Sequence, residues 1–153
     1  MITTDIDFPA ELPCFLRESY DIQGVNEILR TDMASGRARQ RREFENTPLN
    51  VTASILLSQQ QAQLFEAWYR YELKSYQWFN ATLRTPAGIH QIVCRFMQRY
   101  AGPLLTANKW RYTFSLELYE QDILPAGWSE YARDFILLSN YIDVAINREW
   151  PES

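Results

Sequence analysis

The chain is short of the residues on which most site chemistry depends. Its 153 residues hold one histidine, His90, and two cysteines, Cys14 and Cys94, far apart in sequence. A lone histidine without a cysteine or second histidine at ligand spacing gives no zinc pattern, and serine–histidine catalysis would need His90 itself as base. No Gly-x-Ser-x-Gly elbow presents a nucleophile. The five glycines are scattered, so no glycine loop cradles phosphate. Two distant cysteines read as free thiols in a reducing compartment. A net charge of −4 gives no whole-chain basic excess for nucleic acid. No apolar run approaches the roughly 20 residues that span a bilayer, so no membrane partner is expected. Met1 to Asp7 carry two Asp and no basic residue. No secretory leader is therefore expected, and the chain is read as soluble and made in the cytoplasm. Glu43, Glu45, Glu66, Glu72 and Glu117 stand at no spacing that singles out a working pair, and they read as solvated or salt-bridged. No catalytic residue, cofactor or metal ligand is nominated.

Aromatic residues, by contrast, make up 14% of the chain, which argues for a packed protein with large contact surfaces. The centre is Leu49 to Leu83, read as strand, helix, strand. Leu49, Val51, Ala53, Ile55 and Leu57 alternate with polar Asn50, Thr52 and Ser54, a period of two that buries one face. Ser58 and Gln61 form a capping box, and residues 59–73 contain no Gly, Pro, Val, Ile or Thr to oppose a helix. Leu64, Phe65, Trp68 and Tyr71 recur at helical spacing. The helix is expected to lie on the sheet as a lid, with Trp68 and Trp78 buried and Tyr69 and Tyr76 at an interface.

Three regions follow. Residues 1–36 read as an extended arm with turns, apolar at Phe8, Leu12 and Phe15, lying along its own domain or along a neighbouring subunit. Residues 37–120 read as a β-rich core. Strand 37–45 is expected to form a hairpin with the central strand. Trp78 to Arg84 and Ile89 to Arg99 flank the turn Thr85-Pro86-Ala87-Gly88. Ala101-Gly102-Pro103 reads as a break. Trp110 to Tyr119 has the cleanest alternation of all. Residues 121–153 read as a C-terminal extension with a helix over Ser129 to Asn147, its stripe running Tyr131, Phe135, Leu138, Ile142 and Ile146.

The sharpest local feature is the basic cluster Arg37, Arg39, Arg41 and Arg42. On a strand the first three share one face and Arg42 takes the other. Three readings stand: a solvated edge blunted by charge, pairing with acidic groups across a subunit contact, or phosphate contact.

The order of these features resembles a known family. Pro9 is followed by Arg30-Thr31-Asp32-Met33 with Gly36, then Arg39-Gln40-Arg41-Arg42 and Phe65-Glu66-Ala67-Trp68. Trp78-Phe79, Thr85-Pro86-Ala87-Gly88, Arg95-Phe96 and Trp110 leading to Leu116-Glu117 complete it. Over residues 8–120 this resembles short virion structural proteins of tailed bacteriophages and, in layout, the lambda-type minor tail proteins. The resemblance implies an α+β, mainly β, tail-tube-like fold: a β-sandwich or rolled antiparallel sheet, one packed central helix and an added C-terminal helix. It also implies a homo-oligomeric ring, hexameric or trimeric, in the tail or head–tail connecting region. The ring would be made in the host cytoplasm and built into the virion, with other tail or connector proteins as neighbours. DNA would pass through its channel without specific contact. No catalytic residue carries over. The candidate subunit-interface residues are Arg37, Arg39, Arg41, Arg42, Phe8, Leu12, Phe15, Tyr69 and Tyr76. The rival readings are a protein-binding adaptor on the tail tip and a small enzyme with a carboxylate pair in a deep polar pocket.

Overall fold

The period-two stretches become the middle of an antiparallel sheet. A computed structural model describes residues 3–45, 47–121, 123, 125–131, 133–134, 136–138 and 141. Its strands are β1 (Asp21–Gly24), β2 (Ile28–Thr31), β3 (Arg39–Arg42), β4 (Leu49–Leu57), β5 (Phe79–Thr85), β6 (Gly88–Phe96), β7 (Ala101–Thr106) and β8 (Lys109–Leu118). The chain is mainly β, with an antiparallel sheet and one main helix, as its class was read from the sequence. The main sheet runs β1-β4-β8-β6-β5, with β7 also on β8. The chain separates into two compact units, residues 1–121 and 122–153.

β4 and β8 pair along their whole lengths, from Leu49 opposite Leu118 to Leu57 opposite Trp110. Directly opposite residues share a face. Val51, Ala53, Ile55 and Leu57 therefore join Tyr112, Phe114, Leu116 and Leu118 in one buried layer. The hairpin β5–β6 turns at Pro86-Ala87, with Thr85 opposite Gly88, and adds Phe79, Ala81, Leu83, Cys94 and Phe96 to the same core. Each fully buried Val, Leu, Ile or Phe among them contributes about 1.5–3 kcal/mol.

The lid begins as expected. Helix α1 (Gln59–Ala67) carries the Ser58–Gln61 capping box: Ser58 Oγ accepts from the Gln61 N–H, and Gln61 Oε1 accepts from the Ser58 N–H. Residues 68–72 then widen into a π turn, closed by the Leu73 N–H donating to the Trp68 carbonyl at 3.0 Å. The wider turn brings Leu73, in place of Glu72, onto the buried stripe. Phe65, Trp68, Tyr69 and Leu73 face the sheet, whereas Leu64 is 40% and Tyr71 73% exposed. The sequence stripe through Leu64 and Tyr71 is corrected: at roughly 100° per residue both lie about 100–120° from Phe65, on the flank of the face that Ala62, Phe65, Trp68 and Tyr69 turn to the sheet. Trp78, expected to be buried, is half-buried on the opposite face of the sheet.

Two strand expectations are also corrected. Ala101-Gly102-Pro103 does not break the sheet but opens β7, which pairs with β8 through a bulge between Ala101 and Leu104. Pro103 is tolerated because β7 is an edge strand. Gly102 has φ +107°, and a Cβ there would lie 2.7 Å from the Arg111 carbonyl oxygen. The β7–β8 hairpin turns on Ala107 and Asn108, both at positive φ, which is the backbone of a type I′ turn. Secondly, β3 does not pair with β4. Both edges of β4 are occupied, by β1 and β8, and β3 pairs with β2 in a separate two-stranded sheet.

The N-terminal arm lies along its own domain. The Phe8 ring packs edge-on against Trp68 at 5.4 Å, Phe15 packs on Phe114 at 5.5 Å, and Leu12 is buried. At its start the arm adds an extended segment to the edge of β5: the Phe8 N–H donates to the Asn80 carbonyl and the Asn80 N–H to the Ile6 carbonyl, both at 2.8 Å. In the second unit, helix α2 (Trp128–Tyr131) and helical residues at 133–134, 136–138 and 141 are described. The rest of the expected helix, 142–147, lies outside the described residues, as do Phe135, Ile142 and Ile146 of its stripe.

Candidate assembly surface

The β2–β3 ribbon is built from the basic cluster and pairs with no further strand among the described residues. Register places Leu29 opposite Arg41 and Thr31 opposite Arg39, so these four share one face. Ile28 opposite Arg42 and Arg30 opposite Gln40 form the other. Among the described residues no other strand or helix packs on the ribbon, and none of its apolar residues joins the core. Ile28 is 49% exposed, and Met33 and Phe44 beside the ribbon are 53% exposed. An isolated two-stranded ribbon is marginally stable in water.

The arginines divide by role. Arg42 fastens the ribbon's base: its guanidinium donates to Glu27 Oε2 at 3.0 Å and to the carbonyls of Phe44 and Glu45. Arg30 stands 3.6 Å from Asp32, an exposed pair of little energetic weight. Arg37, Arg39 and Arg41 are exposed and have no ion-pair partner among the described residues.

Of the remaining nominated residues, Tyr76 is 69% exposed and available. Tyr69 is corrected: it is 7% exposed, edge-on to Phe96 at 5.0 Å and to Tyr100 at 4.9 Å. Phe8, Leu12 and Phe15 are committed to the core of their own chain. Two open rims were not legible in the sequence. One is β7, whose every residue is exposed, with Leu104 at 62% and Leu105 at 60%. The other is the segment at Asp7 on the edge of β5, with Asp5 at the bend before it. Its inner backbone groups bond to Asn80, while the N–H and C=O of Asp5 and Asp7 have no partner among the described residues.

The remaining polar groups hold the fold together. On the outer face Arg95 donates to Glu117 at 2.5 Å and lies 4.6 Å over the Trp78 ring, which packs on Tyr119. The Tyr112 hydroxyl donates to Glu66 at 2.9 Å; burial first, then that carboxylate, pushes its pKa upward. Burial also pushes the Cys94 thiol well up, so it is a core residue and not a nucleophile. His90 Nε2 lies 3.0 Å from the Ala87 carbonyl in the β5–β6 turn. The cavity between the arm and β5, about 470 Å³, has Asp7 as its single carboxylate. A second cavity of about 380 Å³, lined by Phe15, Tyr20, Arg17 and Arg84, has none. Among the described residues no cluster of His, Cys, Asp and Glu could hold a metal ion, and no helix is long and apolar enough to cross a membrane. Comparison with family models, with curated proteins and with solved structures found no match to this chain.

Proposed function

We propose that the chain is a structural subunit of a tailed-phage virion, with a tail-tube-like fold, whose copies close a ring in the tail or head–tail connecting region. The observation that carries this reading is the β2–β3 ribbon: a basic, two-stranded projection with exposed apolar residues on which no other strand or helix packs among the described residues. Such an element is stabilised by what it docks on. Two open rims, β7 and the Asp5–Asp7 segment, supply backbone for a neighbour to pair with. A projection on one side and a receptive rim elsewhere make a heterologous contact, which closes into a ring when the rotation permits. The mechanism is geometric: the ring continues or caps the conduit for DNA, other tail or connector proteins stack on it, and no catalytic group is required. The family resemblance over residues 8–120 supports the placement in a virion.

Sedimentation of the purified full chain over a range of concentrations, with electron-microscope class averages, tests the reading. Closed rings of three or six copies are the expected result. A monomer at every concentration would refute self-assembly. A second reading, an adaptor on the tail tip, is favoured by Tyr71 and Tyr76, which stand 73% and 69% exposed near the end of the lid. Under that reading the chain alone is monomeric and joins a ring only when another particle protein is added.

A further inference from the structure

We infer that the ribbon of one copy docks on the Asp5–Asp7 rim of the next copy, with Arg39 and Arg41 set against the two aspartates. This rests on the ring reading above and names its contact.

The two surfaces match in several independent ways. Arg39 and Arg41 are two apart on one face of β3 and have no ion-pair partner among the described residues. Asp7 bridges Asn80 on the edge of β5 and Asp5 stands at the bend just before it; both are exposed, with half-buried Thr4, Ile6 and Phe8 alternating between and beside them. Residues two apart on a strand are about 6.5–7 Å apart, so Arg39 and Arg41 can each meet a different aspartate. The charges are opposite, and opposite charges facing each other across paired strands attract. The backbone also fits. At Asp7, which bridges Asn80 of β5, the backbone N–H and C=O have no partner among the described residues, and as a two-stranded sheet the ribbon keeps an outer edge on each strand. Adding the ribbon to this rim continues the main sheet past β5 into the next subunit, the mode known as strand addition.

Asp7 is not wholly free. Its Oδ1 accepts from the Asn80 amide at 2.9 Å and from Gln91 at 3.4 Å. Those bonds hold the carboxylate over the rim in a fixed position. Asp5 accepts none among the described residues and is the freer of the two.

The same contact fits a head-to-tail ring. Ribbon and rim are different surfaces, each subunit has one of each, and every ribbon meets a rim when the ring closes.

The test is a charge exchange in the full chain. One variant carries Arg39→Asp and Arg41→Asp, a second carries Asp5→Arg and Asp7→Arg, and a third carries all four. Circular dichroism checks folding, and Asp5→Arg alone replaces the second variant if the loss of the Asp7 bonds unfolds it. Mass photometry and sedimentation read assembly. Each two-site variant is expected to raise the apparent dissociation constant at least about tenfold, with the effect shrinking in high salt. The four-site variant, and an equimolar mixture of the two two-site variants, are expected to assemble within about threefold of the parent. Failure of both to recover, while the parent forms rings, would overturn this pairing and leave the ring standing. Unchanged assembly in the two-site variants would overturn it equally. So would rings persisting while Arg39→Asp and Arg41→Asp abolish retention of duplex DNA, which would assign the ribbon to phosphate. A parent chain that never assembles would remove the ring reading, and this inference with it.

Discussion

Replacing Tyr69 by alanine should damage the protein far more than replacing Tyr71, although the two aromatics are neighbours on one helix. Tyr69 is 7% exposed, with its ring edge-on to both Phe96 and Tyr100, whereas Tyr71 is 73% exposed. Removing a buried aromatic ring leaves a cavity and typically costs about 3–5 kcal/mol, and each aromatic pair lost adds roughly 0.5–1.5. Some collapse around the site and the small remaining exposure place the expected loss near 3 kcal/mol. For a unit of this size that lowers Tm by on the order of 10 °C. Tyr71→Ala is expected to stay within about 0.5 kcal/mol of the parent. Urea unfolding followed by near-ultraviolet circular dichroism measures both, at protein concentrations low enough that association adds no stability. Equal losses, or a larger loss for Tyr71→Ala, would refute the burial of Tyr69 under the lid and return Tyr71 to the buried stripe.

Ser58→Ala removes the side-chain acceptor from the capping box and should lower stability by about 1 kcal/mol in the same assay, and no change would mean that the cap is redundant. Tyr20, Tyr100 and Tyr112 are all raised above the ordinary value of 10.0, burial being the largest cause in each, so the fold favours the neutral phenol. The unfolded chain ionises first; stability is therefore full below about pH 10 and falls as pH rises through the folded-state values. Urea midpoints at about pH 9 and about pH 11 check the sign, and a midpoint that rises with pH contradicts it. Of the two thiols, exposed Cys14 should react at once with a thiol reagent and buried Cys94 only in denaturant. Two fast thiols in the native chain would place Cys94 outside the core.

The sheet was legible where one face is wet and the other dry. β4 and β8 alternate cleanly because their outer faces carry Asn50, Thr52, Thr113 and Glu117, and the first turn of α1 was written in Ser58 and Gln61. What the sequence hid depends on three-dimensional context. The π turn leaves no signature in a stretch of good helix formers. β7 carries Gly and Pro where a central strand could not, and it survives as a strand because only one of its edges is paired. Partner choice is nonlocal: β3 lies next to β4 in sequence, yet β1 and β8 occupy β4 on both sides. The basic face of the ribbon was readable from the alternation of Arg39 and Arg41. Its separation from the core was not, because burial is a property of the neighbours. The acidic rim is hidden for a related reason, since Asp5 and Asp7 matter only because the arm extends the edge of β5.

Amide hydrogen exchange over residues 28–42, measured on the full chain at dilute and at assembling concentrations, bears most directly on the ribbon's role. If copies are joined through this ribbon, its amides exchange rapidly when dilute and become protected as rings form, together with those of Asp5 to Asp7. Rings that form while residues 28–42 exchange as fast as in the dilute chain would show that the ribbon is not what joins them.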